Sequence, residues 1–384
     1  MRVTHIITRL IVGGAQENTI SSVLGLRDKP GVEVRLISGP THGPEGTLEG
    51  AFANYPGLLR VLPELVRPVH PWLDVRALSK LTTMLREDKP DIVHAHSGKA
   101  GVIGRIAAAR AGVPVIFHTI HGPSFGPFQG PAANLVFTAA ERYAARFTTR
   151  FVVVADAMRD QYLAKGIGKP EQYTKVLSGF ALEPFLSARN DLTLRKKLGI
   201  SPDDIVIGKI ARLAALKGHE DLIESASALL AESPNARFLL VGDGDLRPAI
   251  EARVGELGLS KHFVFAGLVR PDEVPNYIGI MDMLVHLSRR EGLPRALPQA
   301  LAAHKPVIAF DCDGAREVCI DGETGFLLTP GDRAGLIEKL QRLCRDAELR
   351  TRMGSAGRSF IEPRFAAGKM VDDLHALYLR HVRA

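Results

Sequence analysis

The chain has 384 residues, of which 46% are apolar and 24% charged, with a formal net charge of +7. This length suggests two domains of ordinary globular composition, which excludes long disordered tracts and coiled coils. The positive balance points to an anionic partner: nucleic acid, an acidic membrane face or a phosphorylated substrate. Aromatic residues make up only 6%, leaving few stacking platforms for single-stranded nucleic acid.

The charge excess has a location. Residues 1–180 contain 21 Lys+Arg and 14 Asp+Glu, and the remainder contains 28 of each. The three cysteines, Cys312, Cys319 and Cys344, form no CxxC pair and suggest a reduced, cytoplasmic setting. His5 and Arg9 interrupt the N-terminal MRVTHIITRL, so no signal peptide is expected. No apolar run reaches 18 residues, so membrane contact is expected to be peripheral.

In chain order, residues 3–7 read as a strand, 15–26 as a helix and 32–38 as a strand. A break rich in Gly and Pro spans 39–71 and predicts a loop with helical turns. The rhythm resumes with a helix over 75–86, a strand over 91–94, a helix over 99–111 and a strand over 115–120. A helix over 132–146, a strand over 151–154 and a helix over 155–165 complete this part. Strands separated by helix-length segments predict a doubly wound parallel α/β domain. After Gly179 and Pro184 the pattern restarts. Strands are predicted over 205–210, 237–241, 262–265, 283–286 and 306–310, and helices over 220–231, 246–257, 295–303, 334–345 and 347–361. Two such domains, 1–180 and 181–364, are expected to face each other across a cleft, with ligands at the carboxyl ends of the strands.

Five loops there carry candidate chemistry. Gly13-Gly14-Ala15-Gln16 suits either backbone amides against a phosphate or a tight capping turn. His94 and His96, two residues apart, read as buried hydrogen-bonded histidines, since no third metal ligand lies near them in sequence. His121, past the strand 115–120, either enters the cleft or fixes backbone carbonyls. Arg212 and Lys217 precede a helix, where a planar fork and a point charge suit a pyrophosphate. Glu291 precedes Pro294, which fits a first-turn helix position. Its carboxylate could hold a sugar hydroxyl, with the amides of Leu293 and Arg295 beside a phosphate and Gln299 two turns on. Asp313 in Asp311-Cys312-Asp313 reads as a helix cap and not as a metal ligand.

The run EGLPRALPQALAAHKPVIAFDCDGAREVCIDGETGFLL resembles the signature of family 4 glycosyltransferases of the GT-B fold. VGDGDLR, FAGLVRPDEVP, DIVHAHSGKAG, HTIHG and the Lys217-Gly218 pair after Arg212 are similar to the same family, and GGAQ to its GGxE loop. The resemblance covers nearly the whole chain. It implies a retaining, metal-independent enzyme with no cofactor. Such an enzyme moves a hexosyl or N-acetylhexosaminyl group from a UDP-sugar or GDP-mannose to a glycan or lipid-linked acceptor in polysaccharide biosynthesis. It implies a donor-binding C-terminal domain, an acceptor-side N-terminal domain, and a final helix over about 365–384 that returns to the first domain. By position, Glu291 binds donor sugar hydroxyls, Arg212 and Lys217 neutralise the diphosphate, and the Val269 backbone meets the base. His121 contacts the sugar near the reacting carbon, and Gly14 lies against the diphosphate. Three departures stand out: Gln299 replaces the second Glu of Glu-x7-Glu, Leu177-Ser178-Gly179-Phe180-Ala181 stands where the family has Pro-Asn-Gly-x-Asp, and His304 replaces a usual Gly. A GT-B-fold nucleotide-sugar epimerase and a non-catalytic nucleotide-sugar-binding protein are the alternatives. The positive excess, to which Arg60, Arg67, Arg76, Lys80, Arg142, Arg146 and Arg150 contribute, then suggests attachment to an anionic cytoplasmic leaflet and not to nucleic acid.

Overall fold

Strands apolar on both faces belong inside a parallel sheet covered by helices, and the short apolar runs take that place. The computed structural model describes residues 1–42, 46–126 and 128–382. It divides into two units, Met1–Phe180 with Ala366–Ala384, and Ala181–Phe365.

The first unit holds β1 (Arg2–Ile7), β2 (Glu33–Ser38), β3 (Leu59–Val61), β4 (Ile92–His96), β5 (Val115–Ile120), β6 (Arg150–Val153) and β7 (Tyr173–Lys175). All pair in parallel, in the order β3-β2-β1-β4-β5-β6-β7. Val3, Ile7 and Phe117 bury one face under the helices Gly14–Arg27 and Ala367–Val382. Ile6, Val93 and Ile116 bury the other under Pro71–Asp88 and Gly98–Ala111. Each fully buried Leu, Ile or Phe contributes roughly 1.5–3 kcal/mol. Pro71 opens its helix at the first position, and Lys89, at φ 46, ends it in the left-handed region. The returning helix is tied in by Ala367 N–H donating to the Phe180 carbonyl at 3.0 Å. Residues 383–384 of the expected final helix lie outside the described residues.

The second unit holds β8 (Ile205–Ile210), β9 (Ala236–Val241), β10 (Phe263–Gly267), β11 (Met283–His286), β12 (Val307–Phe310) and β13 (Gly325–Leu328), parallel in the order β10-β9-β8-β11-β12-β13. Phe238, Leu240, Met283 and Phe310 pack with Leu222 and Leu229 of helix His219–Leu230 and Leu336 and Leu340 of helix Arg333–Arg345. Asp332 and Asp346 cap successive helices through their carboxylates.

Both sheets are doubly wound, and each reverses direction beside its first strand, between β1 and β4 and between β8 and β11. In open α/β sheets ligands bind at the strand-end loops beside such a reversal. Three strands escaped the sequence reading: β3, β7 and β13, each of three or four residues and each at a sheet edge. Within the break at 39–71 the structure has a 3-10 turn, Glu49–Phe52, and β3; residues 43–45 of it lie outside the described residues. No helix of the described residues is long and apolar enough to cross a membrane.

Candidate active site

The strongest constellation stands at the switch point of the second unit. Gly218, at φ +62, has its Cα so close to the next loop that a Cβ would meet the Leu287 carbonyl oxygen at 2.1 Å. Only glycine fits that approach. Arg289 N–H donates to the Leu216 carbonyl at 2.8 Å, which fastens the loop after β8 to the loop after β11. Lys217 Nζ thereby reaches Glu291 Oε1 at 2.5 Å. A third loop closes on the same place: Glu291 N–H donates to Asp313 Oδ2 at 2.6 Å, and Gly314 N–H donates to the Gly292 carbonyl at 2.9 Å.

His286 Nε2, at the end of β11, lies 3.2 Å from the same Glu291 oxygen. Burial works against the ionised carboxylate, yet His286 and Lys217 outweigh it and hold the Glu291 carboxyl well below the usual carboxylate range. Burial in turn lowers the His286 imidazole, against the pull of Glu291. Beneath them, burial first and the Lys217 charge second lower the Lys209 amine to about 7. Its Nζ and the Ser288 hydroxyl are buried without a hydrogen-bond partner among the described residues. An ionised carboxylate with a neighbouring ammonium can hold hydroxyls and phosphate oxygens side by side.

The structure corrects three local expectations. The helix starts at Ala296 with Arg295 as its N-cap, so Pro294 stands outside it and not in its first turn. Gln299 therefore lies in the first helical turn, not two turns along, because the chain from Glu291 to Pro294 stays irregular. Asp313 does not stand ahead of its 3-10 turn as the N-cap; that place is taken by Cys312, and Asp313 is the first residue of the turn, with its carboxylate accepting from the Glu291 amide. Leu293 is buried, and Arg295 and Gln299 are half-buried. Arg212 is exposed on the loop after β8, and its carbonyl accepts from His219 Nε2 at 2.9 Å. Val269 sits two residues past β10, half-buried. His286, Lys209 and the new role of Asp313 were not read from sequence; a His closing a strand five residues before Glu291 was the available signal.

In the first unit, Gly14 is exposed at the first position of helix Gly14–Arg27, at the carboxyl edge of β1. His121 lies just past β5, with its Nε2 3.1 Å from His96 Nδ1. His96 Nε2 is 2.8 Å from His5 Nδ1. His5 is thus the third histidine that sequence proximity did not reveal, placed beside His94 by the β1–β4 register. Ligand atoms of His5, His94 and His96 lie within 4.8 Å of one another, the spacing of a metal triangle. All six ring nitrogens nevertheless have protein partners, in keeping with the reading of His94 and His96 as hydrogen-bonded core histidines.

Residues 190–360 match the profile of "Glycosyl transferases group 1", and residues 13–176 that of "Glycosyl transferase 4-like domain". The chain is 30% identical over 322 residues to the Escherichia coli UDP-Gal:alpha-D-GlcNAc-diphosphoundecaprenol alpha-1,3-galactosyltransferase, covering 83% of this chain and 82% of the relative. It is 25% identical over 325 residues to the Staphylococcus aureus capsular polysaccharide biosynthesis glycosyltransferase CapM, covering 84% of each. In fold it is similar to the Anabaena protein HepE crystallised with UDP-glucose, with a TM-score of 0.82 at 23% identity over 98% of this chain and 99% of that one.

Proposed function

The chain belongs to the family 4-type glycosyltransferases of the GT-B fold, and from that premise we propose that it moves a sugar, with retention and without a metal, from a nucleotide-sugar donor to a glycan or lipid-linked acceptor. The observation that carries this reading is Glu291, ionised between Lys217 and His286 at the switch point of the second sheet. The E. coli relative is named for UDP-galactose and a diphosphoundecaprenol-linked acceptor, which favours a UDP-sugar over GDP-mannose and a polyprenyl diphosphate glycolipid as acceptor.

The leaving group is a nucleoside diphosphate, so negative charge develops on phosphate oxygens in the transition state. Arg212, Lys217 and the amides at Leu293 and Arg295 meet that charge in preorganised positions, and Gly14 lies against the same diphosphate. These cations supply what a metal would supply elsewhere. Glu291 accepts from donor sugar hydroxyls, the Val269 backbone meets the base, and Gln299 meets the ribose through both its carbonyl and its amide. His121 contacts the sugar near the reacting carbon. No nucleophilic carboxylate is read on the far side of the sugar, so the acceptor attacks from the face the leaving group departs. The enzyme works in the cytoplasm, held on an anionic leaflet by its basic first unit.

The test is transfer from UDP- and GDP-sugars to polyprenyl-diphosphate sugars, with and without chelator. Glu291→Ala is expected to abolish transfer while far-UV circular dichroism stays unchanged; wild-type turnover by that variant overturns the reading. An epimerised donor formed without acceptor would favour the epimerase alternative. Binding without turnover across acceptors would favour a non-catalytic protein.

A further inference from the structure

The sheet face covered by the returning helix carries a row of side chains of which the proposed donor chemistry uses only the last. The row runs from Tyr378 on helix Ala367–Val382 through His5 of β1 and His96 of β4 to His121. The Tyr378 hydroxyl is 3.5 Å from His5 Nε2, His5 Nδ1 is 2.8 Å from His96 Nε2, and His96 Nδ1 is 3.1 Å from His121 Nε2. The ring centroids of His5 and His96 are 5.1 Å apart and those of His96 and His121 5.4 Å, stacked in both pairs. A branch leaves the same hydroxyl: it bonds His94 Nδ1, and His94 Nε2 meets Thr119 Oγ1 at 2.6 Å. Strand periodicity explains the alignment, since His94 and His96 share one face of β4 and the register sets His5 beside His94.

A neutral imidazole carries one N–H, so it donates at one nitrogen and accepts at the other. Burial keeps these rings neutral: His5 is lowered to about 3, and His94 and His96 fall well below the ordinary histidine value. In a row of neutral rings one proton position then fixes all the others. Tyr378 has a single hydroxyl proton. With that proton given to His94 Nδ1, the closer of its two partners, His94 donates from Nε2 to Thr119. His5 must then donate from Nε2 to the tyrosine oxygen and accept at Nδ1. His96 donates from Nε2 to His5 and accepts at Nδ1. His121 donates from Nε2 to His96.

We infer that His96, set by His5 and Tyr378, is a positioning residue that holds His121 in its Nε2–H tautomer, so that His121 Nδ1 acts as an acceptor for a hydroxyl of the donor sugar. The final helix thus serves the chemistry, because its Tyr378 sets the direction of the row. In the other tautomer His121 would present an N–H at the same place and select an acceptor atom instead of a hydroxyl. The sugar contact rests on the proposed function; the tautomer belongs to the free protein.

The two are separable by experiment. The full chain labelled with 15N-histidine is read by long-range 1H–15N correlation near neutral pH, with the His121 signals identified by their loss in His121→Gln. His121 is expected to carry its proton on Nε2. In Tyr378→Phe, which removes one oxygen and keeps the ring, the His121 signals should move toward a mixture of tautomers and kcat should fall about tenfold. In a His121→Gln background the same change should have no further effect on kcat. His96→Phe should give the same tautomer mixture, and Tyr378→Phe provides the test where that larger change prevents folding. An Nδ1–H His121 in the wild type, or an unchanged His121 tautomer in Tyr378→Phe, overturns the inference. An Nε2–H signal that responds to Tyr378→Phe in a protein that transfers no sugar supports the row and counts against the donor reading alone.

Discussion

Lys217 Nζ and Glu291 Oε1 lie 2.5 Å apart, on loops that leave β8 and β11 to either side of the switch point. The pair keeps the carboxylate charged and sets an ammonium beside the position proposed for the departing diphosphate. Lys217→Ala should therefore lower kcat by about 10²–10³, the range for loss of one preorganised transition-state contact. Thermal melts should show the fold retained. An unchanged kcat would remove Lys217 from the mechanism.

Gly218 makes that pair possible. At φ +62, and with a Cβ position 2.1 Å from the Leu287 carbonyl, any side chain must push the two loops apart. Gly218→Ala is expected to destabilise the second unit by roughly 1–3 kcal/mol, as strain at a special backbone position does, and to reduce transfer more than Lys217→Ala does. Denaturant melts and steady-state rates read both effects. Wild-type rates in Gly218→Ala would show that the loop contact does not matter.

The buried histidines make the protein acid-sensitive with a definite sign. Burial lowers His5 to about 3 and His94, His96 and His118 well below the usual value of 6.5. Below pH 6.5 the unfolded chain binds protons that the folded chain refuses, so stability is complete above 6.5 and falls as pH drops. Each ring held neutral loses about 1.4 kcal/mol per pH unit in that window, or roughly 2 kcal/mol for His5 between pH 6.5 and 5. Carboxylates stay largely ionised there, so urea midpoints from pH 7 to 5 isolate the histidines. His5→Phe should flatten the slope. A pH-independent midpoint in the wild type would contradict the neutral column.

These effects also show where sequence reading stops. The strands at 115–120, 205–210 and 283–286 are legible residue for residue because buried parallel strands are continuous apolar runs closed by turns. Glu291, Lys217 and Gly218 are legible because each sits in a local motif. His5, His286 and Asp313 act through residues 91, 5 and 22 positions away, and such partnerships arise from strand register and loop docking. Asp313 illustrates the override: the local rule sets it ahead of a helical turn as the cap, whereas the structure sets it inside the turn with its carboxylate on the Glu291 amide. β3 and β7, of three residues each, are too short to show a period.

His304 occupies the place of a usual family glycine, and the structure gives the reason for the glycine: its φ is 57, in the left-handed region. A side chain there costs about 1–2 kcal/mol, and the exposed His304 ring has little packing to offset it. His304→Gly should raise stability by about 0.5–1 kcal/mol after the entropy that glycine adds to the unfolded chain. A shifted urea midpoint with an unchanged m-value checks this; a lower midpoint would mean that the ring makes contacts worth more than the strain.

The basic first unit also presents apolar side chains to solvent. Trp72 and Val75 stand in the first turn and a half of helix Pro71–Asp88, with Val69 just ahead of it, and Leu135 and Val136 stand early in Pro131–Ala145. In an all-parallel sheet the crossover helices start at the carboxyl edge, so both clusters lie on that edge of the unit. Several cations have local partners: Arg60 bonds Asp88 at 2.7 Å and Lys80 bonds Glu64 at 2.5 Å. The proposed attraction to an anionic leaflet therefore rests on the unit's net charge, to which the returning segment adds three basic and two acidic residues, and insertion would fall to the apolar clusters. Trp72 is the chain's only tryptophan and is 69% exposed, which makes it a direct reporter. Vesicles rich in anionic lipid should shift its emission to the blue and carry the protein upward in flotation, and both effects should fade as salt screens the attraction. Trp72→Ser should weaken flotation several-fold without altering the melt. Equal binding to neutral vesicles would leave the net charge without a role, and an unshifted emission on bound protein would place the contact elsewhere on the molecule.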